Sequence, residues 1–306
     1  MLIYTKFQSS YFMDLKKFIE DQSLTNFPVG LGGCRAINSF FDSCDYDITI
    51  FDNKSDSEKI IFYDGNFIKI HHGSLNETKS NILVKYDGMQ IVHDESWELR
   101  MFLSKIKEKR SILYKDNAKN CLFSSLFCCE KTKEGINTSN AFSSCWQICA
   151  SYFLADAIYS LNLSAPNPTH MLDIMRKFKK NQINEHISVV TQTVGIERAT
   201  APLLERMLKS TVGFSDKIEN NNHSKIIQQK SAYFIKNSML SDCYFYLGYV
   251  NRDNFEKIKD KIDRQPDLIH ILRVAFDIEA DSNMLEQQAK LIQKSCNTIL
   301  GMVSGA

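Results

Sequence analysis

GGCRAINSFFDSCDYDITIFD, residues 32–52, puts a glycine pair, a polar turn and two carboxylates two residues apart into one short stretch. From Cys44 to Asp52 the residues alternate: on a strand, Tyr46, Ile48, Ile50 and Asp52 point one way and Asp45, Asp47, Thr49 and Phe51 the other. Asp45 and Asp47 therefore share a face. Adjacent carboxylates repel unless they share a proton or something positive lies between them, and a divalent cation with oxygen ligands is the usual partner. Upstream, Gly32-Gly33 closes the apolar run Phe27-Pro28-Val29-Gly30-Leu31. With no Cβ in the way, its backbone N–H groups would be open to an anion. A phosphate beside a metal is the ligand these residues imply.

The arrangement resembles the nucleotidyltransferase superfamily, typified by DNA polymerase β, in which an apolar residue, Gly, then Gly or Ser precede an Asp-x-Asp pair after a short spacer. Leu31-Gly32-Gly33, eleven intervening residues and Asp45-Tyr46-Asp47-Ile48 fit that spacing, and the resemblance covers roughly residues 25–100. It implies that Gly32 and Gly33 hold the phosphates of a nucleoside triphosphate and that Asp45 and Asp47 hold Mg²⁺, as two ions, or Mn²⁺. In such sites the ions align the attacking oxygen and stabilise the leaving pyrophosphate. Arg35 is placed to reach a phosphate, and Asn38 and Ser39 to hydrogen-bond one; without a ligand all three read as a surface helix turn.

The family's catalytic members carry a third carboxylate on a later strand. Here that position falls in Asn66-Phe67-Ile68-Lys69-Ile70-His71-His72, where Lys69 or His71 stands instead of an acid. A lysine there would neutralise the pair by itself and could replace a metal ion. Lys69 close to Asp45 and Asp47 favours a non-catalytic protein; Asp64, Asp87 or another acid there favours an enzyme. Asp64-Gly65 and Asp87-Gly88, each between strand-like runs, predict two hairpins, 59–63 with 67–71 and 82–86 with 89–93. His71, His72 and His93 have no compact zinc spacing and read as solvated strand-end residues.

Around this core, Phe12, Leu15, Phe18 and Ile19 predict an amphipathic helix over 8–22 that packs on the sheet. Residues 95–110 predict another, with Trp97, Met101, Phe102 and Ile106 inward and a basic end. Beyond 112–117 helical periodicity takes over, which divides the chain into 1–113 and 114–306. The segment 138–161 is apolar on more than one side, as a helix inside a bundle is, so Cys145 and Cys149 read as core thiols, and Cys128-Cys129 likewise. Pro166 and Pro168 precede Thr169, a candidate cap for a helix with Met171, Ile174, Met175 and Phe178 inward. Arg176, Lys177, Lys179 and Lys180 make this the most basic cluster, a wet face or a nucleic-acid backbone contact. Interruptions are expected at Gly195 and Pro202, and a polar linker over 215–223. Helices start at Asp267 and at 281–283; the last buries Leu285, Ala289, Ile292, Cys296 and Ile299, and its closing GMVSGA is expected to fray.

The chain has 306 residues, 43% hydrophobic, enough for two cored domains. Lys+Arg of 37 against Asp+Glu of 36 leaves a formal charge of +1, so no global basic field advertises nucleic acid. Nine scattered cysteines without a signal peptide predict reduced thiols in a cytoplasm, and no apolar run is long enough to span a membrane. The reading is α+β: a small mixed-sheet nucleotidyltransferase-like domain followed by an all-α helical domain. By the resemblance its reaction is transfer of a nucleoside monophosphate from a triphosphate to a hydroxyl on a small molecule, RNA or protein. The rivals are a non-catalytic nucleotide-binding or interaction protein, and a helical interaction protein with a small α/β cap.

Overall fold

A computed structural model describes residues 13–54, 58–219, 222–278 and 281–305. The strand expected from alternation at 44–52 forms as β2 and organises the first part of the chain. In order come α1 (Leu15–Asp21), β1 (Val29–Gly32), α2 (Gly33–Ala36), β2 (Tyr46–Ile50), β3 (Lys59–Tyr63), β4 (Asn66–His72), α3 (Ser80–Leu83), β5 (Gln90–His93) and α4 (Glu98–Glu108). The sheet runs β3-β4-β2-β1-β5, with β2 and β4 parallel and the other pairs antiparallel.

One face of β2 builds the core of the sheet, and the residue after the strand enters a second core. Tyr46, Ile48 and Ile50 pack with Ile68 and Ile70 of β4 and with Phe18 and Ile19 of α1, whose first turn is capped by the Asp14 carboxylate. Phe51 packs opposite with Leu83, Tyr86, Leu99, Phe102 and Ile106. The parallel register sets Asp47 beside Lys69 and Ile48 beside Ile70, so Lys69 joins the face of the two carboxylates while its neighbours enter the core. Of the first expected helix, residues 8–12, Phe12 included, lie outside the described residues.

Asp64-Gly65 makes the expected hairpin, with φ of 46° and 75°. Asp87-Gly88 does not. Residues 80–83 are helical, 84–86 continue as a 3₁₀ turn, and β5 pairs with β1 instead. Leu83, Val84 and Tyr86 are all buried, which suits a helical turn on the core rather than alternation. Asp87 instead accepts hydrogen bonds from Arg110 Nε at 2.7 Å and the Tyr114 hydroxyl at 2.9 Å. On α4 the inward side is Leu99, Phe102 and Ile106, whereas Trp97 and Met101 are about 60% exposed.

The remainder is helical: α5 (Arg110–Asn137), α6 (Ser143–Leu161), α7 (Met171–Met175), α8 (Ile187–Val194), α9 (Ala201–Ile218), α10 (His223–Lys236), α11 (Leu240–Ile258), α12 (Leu268–Ala275) and α13 (Ser282–Ser304). The boundary expected at 112–117 thus falls inside α5. The bundle centre is α6, buried except at Phe153 and Leu161 and packed by α5, α8, α11 and α13. Cys145 and Cys149 are core thiols as expected, and no disulfide joins any of the nine cysteines among the described residues. Gly195 ends α8 in the left-handed region, whereas Pro202 begins α9 rather than interrupting it. The expected 215–223 linker is shorter, because α9 runs to Ile218 and α10 starts at His223; Asn220 and Asn221 lie outside the described residues. The helix after Pro168 is one short turn, capped by position at His170 and not by Thr169, so the lysines beyond Arg176 do not share its face. Asp281 caps α13, whose stripe is buried as expected; helix persists to Ser304 because Val303 packs on the core.

One ion pair ties α6 to α11. Asp156 accepts from Arg252 Nη2 at 2.8 Å and from the Tyr249 hydroxyl at 2.8 Å, with the guanidinium over the Tyr249 and Phe153 rings. Both charges are almost fully buried, so removing Asp156 leaves Arg252 only the more exposed Asp253, 3.3 Å from its Nε. Asp156→Ala is expected to destabilise the fold by about 3–5 kcal/mol in urea unfolding, and Asp156→Asn, which keeps an acceptor for Tyr249, by less.

Candidate functional site

The site grows from the turn between β1 and β2. Gly33 adopts φ of 67°, and a Cβ there would collide with Asp47 Oδ2. Glycine is therefore required twice, by the backbone and by a carboxylate lying against its α-carbon. Arg35 is buried: its Nε and Nη2 donate to the Cys44 carbonyl at 3.0 and 2.6 Å, and its guanidinium lies 4.0 Å over the Tyr46 ring. It ties α2 to the start of β2. Asn38 and Ser39 lie on the exposed turn after α2, their amides donating to the Arg35 and Cys34 carbonyls.

Asp45, one residue before β2, is only 4% exposed and is held by two ammonium groups. Lys69 Nζ lies 3.0 Å from Oδ2 and Lys230 Nζ 2.5 Å from Oδ1. Burial alone would raise the Asp45 carboxyl, but Lys230 and then Lys69 outweigh it and hold it well below the usual carboxylate range. Burial likewise opposes the charge on Lys69, yet Asp45, then Asp47 and Glu58, push it well above its ordinary value. Lys230 moves up for the same reason, with Asp45 as the dominant attraction. His71 stands 3.7 Å from Asp47 Oδ1 and 3.4 Å from Glu58, and the Asp47 side chain remains about a third exposed.

The structure therefore brings together Gly33, Asp45, Asp47, Lys69 and His71, and turns Arg35 inward. His72 bonds Asp52 at 2.9 Å and His93 bonds the Thr25 carbonyl at 2.6 Å, so those histidines have separate partners. The residue that sequence reasoning missed is Lys230. On α10 it shares the inward face with Ile226, Ile227 and Phe234, and a lysine at the centre of an apolar stripe was the available signal. The donor set does not suit two Mg²⁺ or Mn²⁺ ions. Such ions take several oxygen ligands, whereas one carboxylate here is buried under two ammoniums and the third position is a lysine.

A polar cleft lined by Gln147, Thr193, Glu197, Arg198, Asp277 and Gln288 opens in the helical part, and its lining includes none of the residues expected at the site. No protein-family model matches the chain, and no curated protein matches it in sequence.

Two measurements check the electrostatics. Lys230→Met leaves Asp45 buried with one partner and is expected to cost about 3 kcal/mol in urea unfolding at pH 7. Combined with Asp45→Asn, the loss should fall well short of the two single losses added. His223, at the start of α10, is pushed down from 6.5 to about 3, by burial first and then by Lys69, Lys257 and Lys230. Neutral in the fold, it protonates in the unfolded chain below pH 6.5, so its contribution is present above 6.5 and is lost as pH falls toward 3. The slope from this group is at most about 1.4 kcal/mol per pH unit, and His223→Asn should flatten stability measured between pH 6.5 and 5.

Proposed function

We propose that this chain is a nucleotidyltransferase-like protein that works without turnover, as a binding or interaction module in which lysines take the part that divalent ions play in the enzymes it resembles. The observation that carries the reading is the position of Lys69 and Lys230 on the two oxygens of Asp45, at 3.0 and 2.5 Å. Two ammoniums against the two acids, Asp45 and Asp47, already balance the charge that a metal would be needed to neutralise. Lys69 stands where a catalytic member would have its third carboxylate. A helical part that supplies Lys230 to the pair fits a fixed assembly of the two parts better than an open cleft for an acceptor.

A second reading keeps the reaction: nucleoside monophosphate transfer from a triphosphate to a hydroxyl on a small molecule, RNA or protein, with Mg²⁺ or Mn²⁺. What favours it is Asp47, which stays partly exposed beside the exposed Gly33 and, among the described residues, makes no ion pair with a lysine within 4 Å.

Calorimetric titration with ATP and with GTP, in Mg²⁺ and in chelator, separates the two. The non-catalytic reading expects no binding that requires Mg²⁺ and no pyrophosphate release. Mg²⁺-dependent binding that disappears in Asp47→Asn would overturn it, and because Asp47 is partly exposed, that variant is expected to fold.

A further inference from the structure

Residues 37–43 loop out between two cysteines that the β1–β2 turn brings back together. Cys34 lies in α2 and Cys44 two residues before β2, and His170, at the start of α7, meets them from the helical part. One ligand atom from each, two sulfurs and a ring nitrogen, all lie within 4.8 Å of one another. Cys44 Sγ and His170 Nε2 are 3.3 Å apart. Around a tetrahedral zinc, bonds of about 2.3 Å to sulfur and about 2.0–2.1 Å to nitrogen separate those atoms by about 3.5 Å. The observed edge is already close to that length.

Two of the donors, Cys44 and His170, are held by neighbouring groups. Arg35 holds the Cys44 carbonyl with two hydrogen bonds, and the Phe41 amide points at Cys44 Sγ from 3.4 Å. The His170 ring rests against Phe41 with centroids 4.3 Å apart, and its backbone amide bonds the Asn167 carbonyl at 3.0 Å. The three residues are between 2% and 5% exposed. Two thiols and an imidazole, with no carboxylate, are the donors that select Zn²⁺ or Cu(I) over Mg²⁺, Ca²⁺ or Mn²⁺.

We propose that Cys34, Cys44 and His170 bind one thiophilic d¹⁰ cation, Zn²⁺ or Cu(I), which clasps the loop 37–43 to the helical part. Binding forms two metal–sulfur bonds and one metal–nitrogen bond, and the thiol protons pass to solvent. Two thiolates cancel the charge of Zn²⁺, so the site closes neutral beside Lys230. Among the described residues no fourth His, Cys, Asp or Glu joins the group, which leaves a fourth position for water on zinc or a three-coordinate site for Cu(I). The assignment does not depend on the nucleotide reading, because none of these donors belongs to the carboxylate pair.

The test is direct spectroscopy on the full chain, reduced and freed of metal by chelator. One equivalent of Co²⁺ should give the intense ligand-field bands and sulfur-to-cobalt charge transfer of a tetrahedral thiolate site, and one equivalent of Zn²⁺ should abolish them. His170→Gln should weaken Zn²⁺ binding by more than about 100-fold, beyond the cost of losing an outer-shell partner, while Cys145→Ala leaves stoichiometry unchanged. Uptake of one Cu(I) with the same dependence on Cys34, Cys44 and His170, and no Co²⁺ or Zn²⁺ uptake, would support the site and identify its ion as copper(I). The proposal is overturned if the reduced wild type takes up none of these ions, or if Cys34→Ser/Cys44→Ser binds them as the wild type does. The wild-type spectrum decides even where a variant fails to fold.

Discussion

A carboxylate removed from water needs positive charge around it, and Asp45 obtains it from two directions at once. Lys69 reaches it from the neighbouring strand, Lys230 from α10. Neither lysine is much exposed, so each depends on Asp45 as much as Asp45 depends on them. Isolated, any of the three would carry a desolvation penalty of several kcal/mol. Together with Asp47, which also attracts Lys69, they sum to zero charge. The β2–β4 register and the seating of α10 are consequently not independent features: shifting either leaves a buried charge without a partner.

The same coupling runs through the loop between the glycine pair and Asp45. Phe41 is inserted into the helical part, stacked on Tyr233 at 5.2 Å and against His170. Gln229 donates to the Ser43 carbonyl at 3.3 Å, next to Lys230 in sequence. Moving α10 away would undo an aromatic stack, a hydrogen bond and an ion pair together, all within a few residues of β2. The sheet and the bundle are held at the point where a cleft between them would have to open.

How much of this was legible from residues alone follows from how local each determinant is. The alternation of 44–52 exposed β2 because Tyr46, Ile48 and Ile50 enter a core while Asp47, on the other face, stays partly open to solvent. The lysine at the third position was visible because Ile68 and Ile70 fix its face by simple parity. Asp-Gly was a sound guide at 64–65, where the flanking residues pair with each other. At 87–88 it misled, because Leu83, Val84 and Tyr86 follow a helical face that a short apolar run does not distinguish from a strand. Trp97 and Met101 misled for the opposite reason: hydrophobic residues at helical spacing need not be the ones turned inward. Arg35 looked like a phosphate ligand from its place in the sequence, and only the chain's return at Cys44 shows what its guanidinium bonds. Lys230 and His170 are 185 and 126 residues from their partners Asp45 and Cys44, as their positions show. No local pattern carries a meeting of that kind, although a lysine inside the apolar stripe of α10 marks half of it.

The lysines also limit what else the corner can do. A buried lysine can vacate a site by losing its proton, as many desolvated lysines do. Here the shift runs the other way, since Asp45 raises both Lys69 and Lys230 above their ordinary value of 10.5. At neutral pH both stay charged. A divalent ion approaching Asp45 would meet two fixed ammoniums, one on a strand in the sheet and the other on a helix packed into the bundle, and could enter only by displacing them bodily. Asp47 has no such guard. It lies against Gly33, is partly open to solvent, and has the His71 ring 3.7 Å from its Oδ1. Any ligand that this corner accepts is therefore met first by Asp47 and the backbone of Gly33, with Asp45 acting behind them as the pin that holds the strand in register.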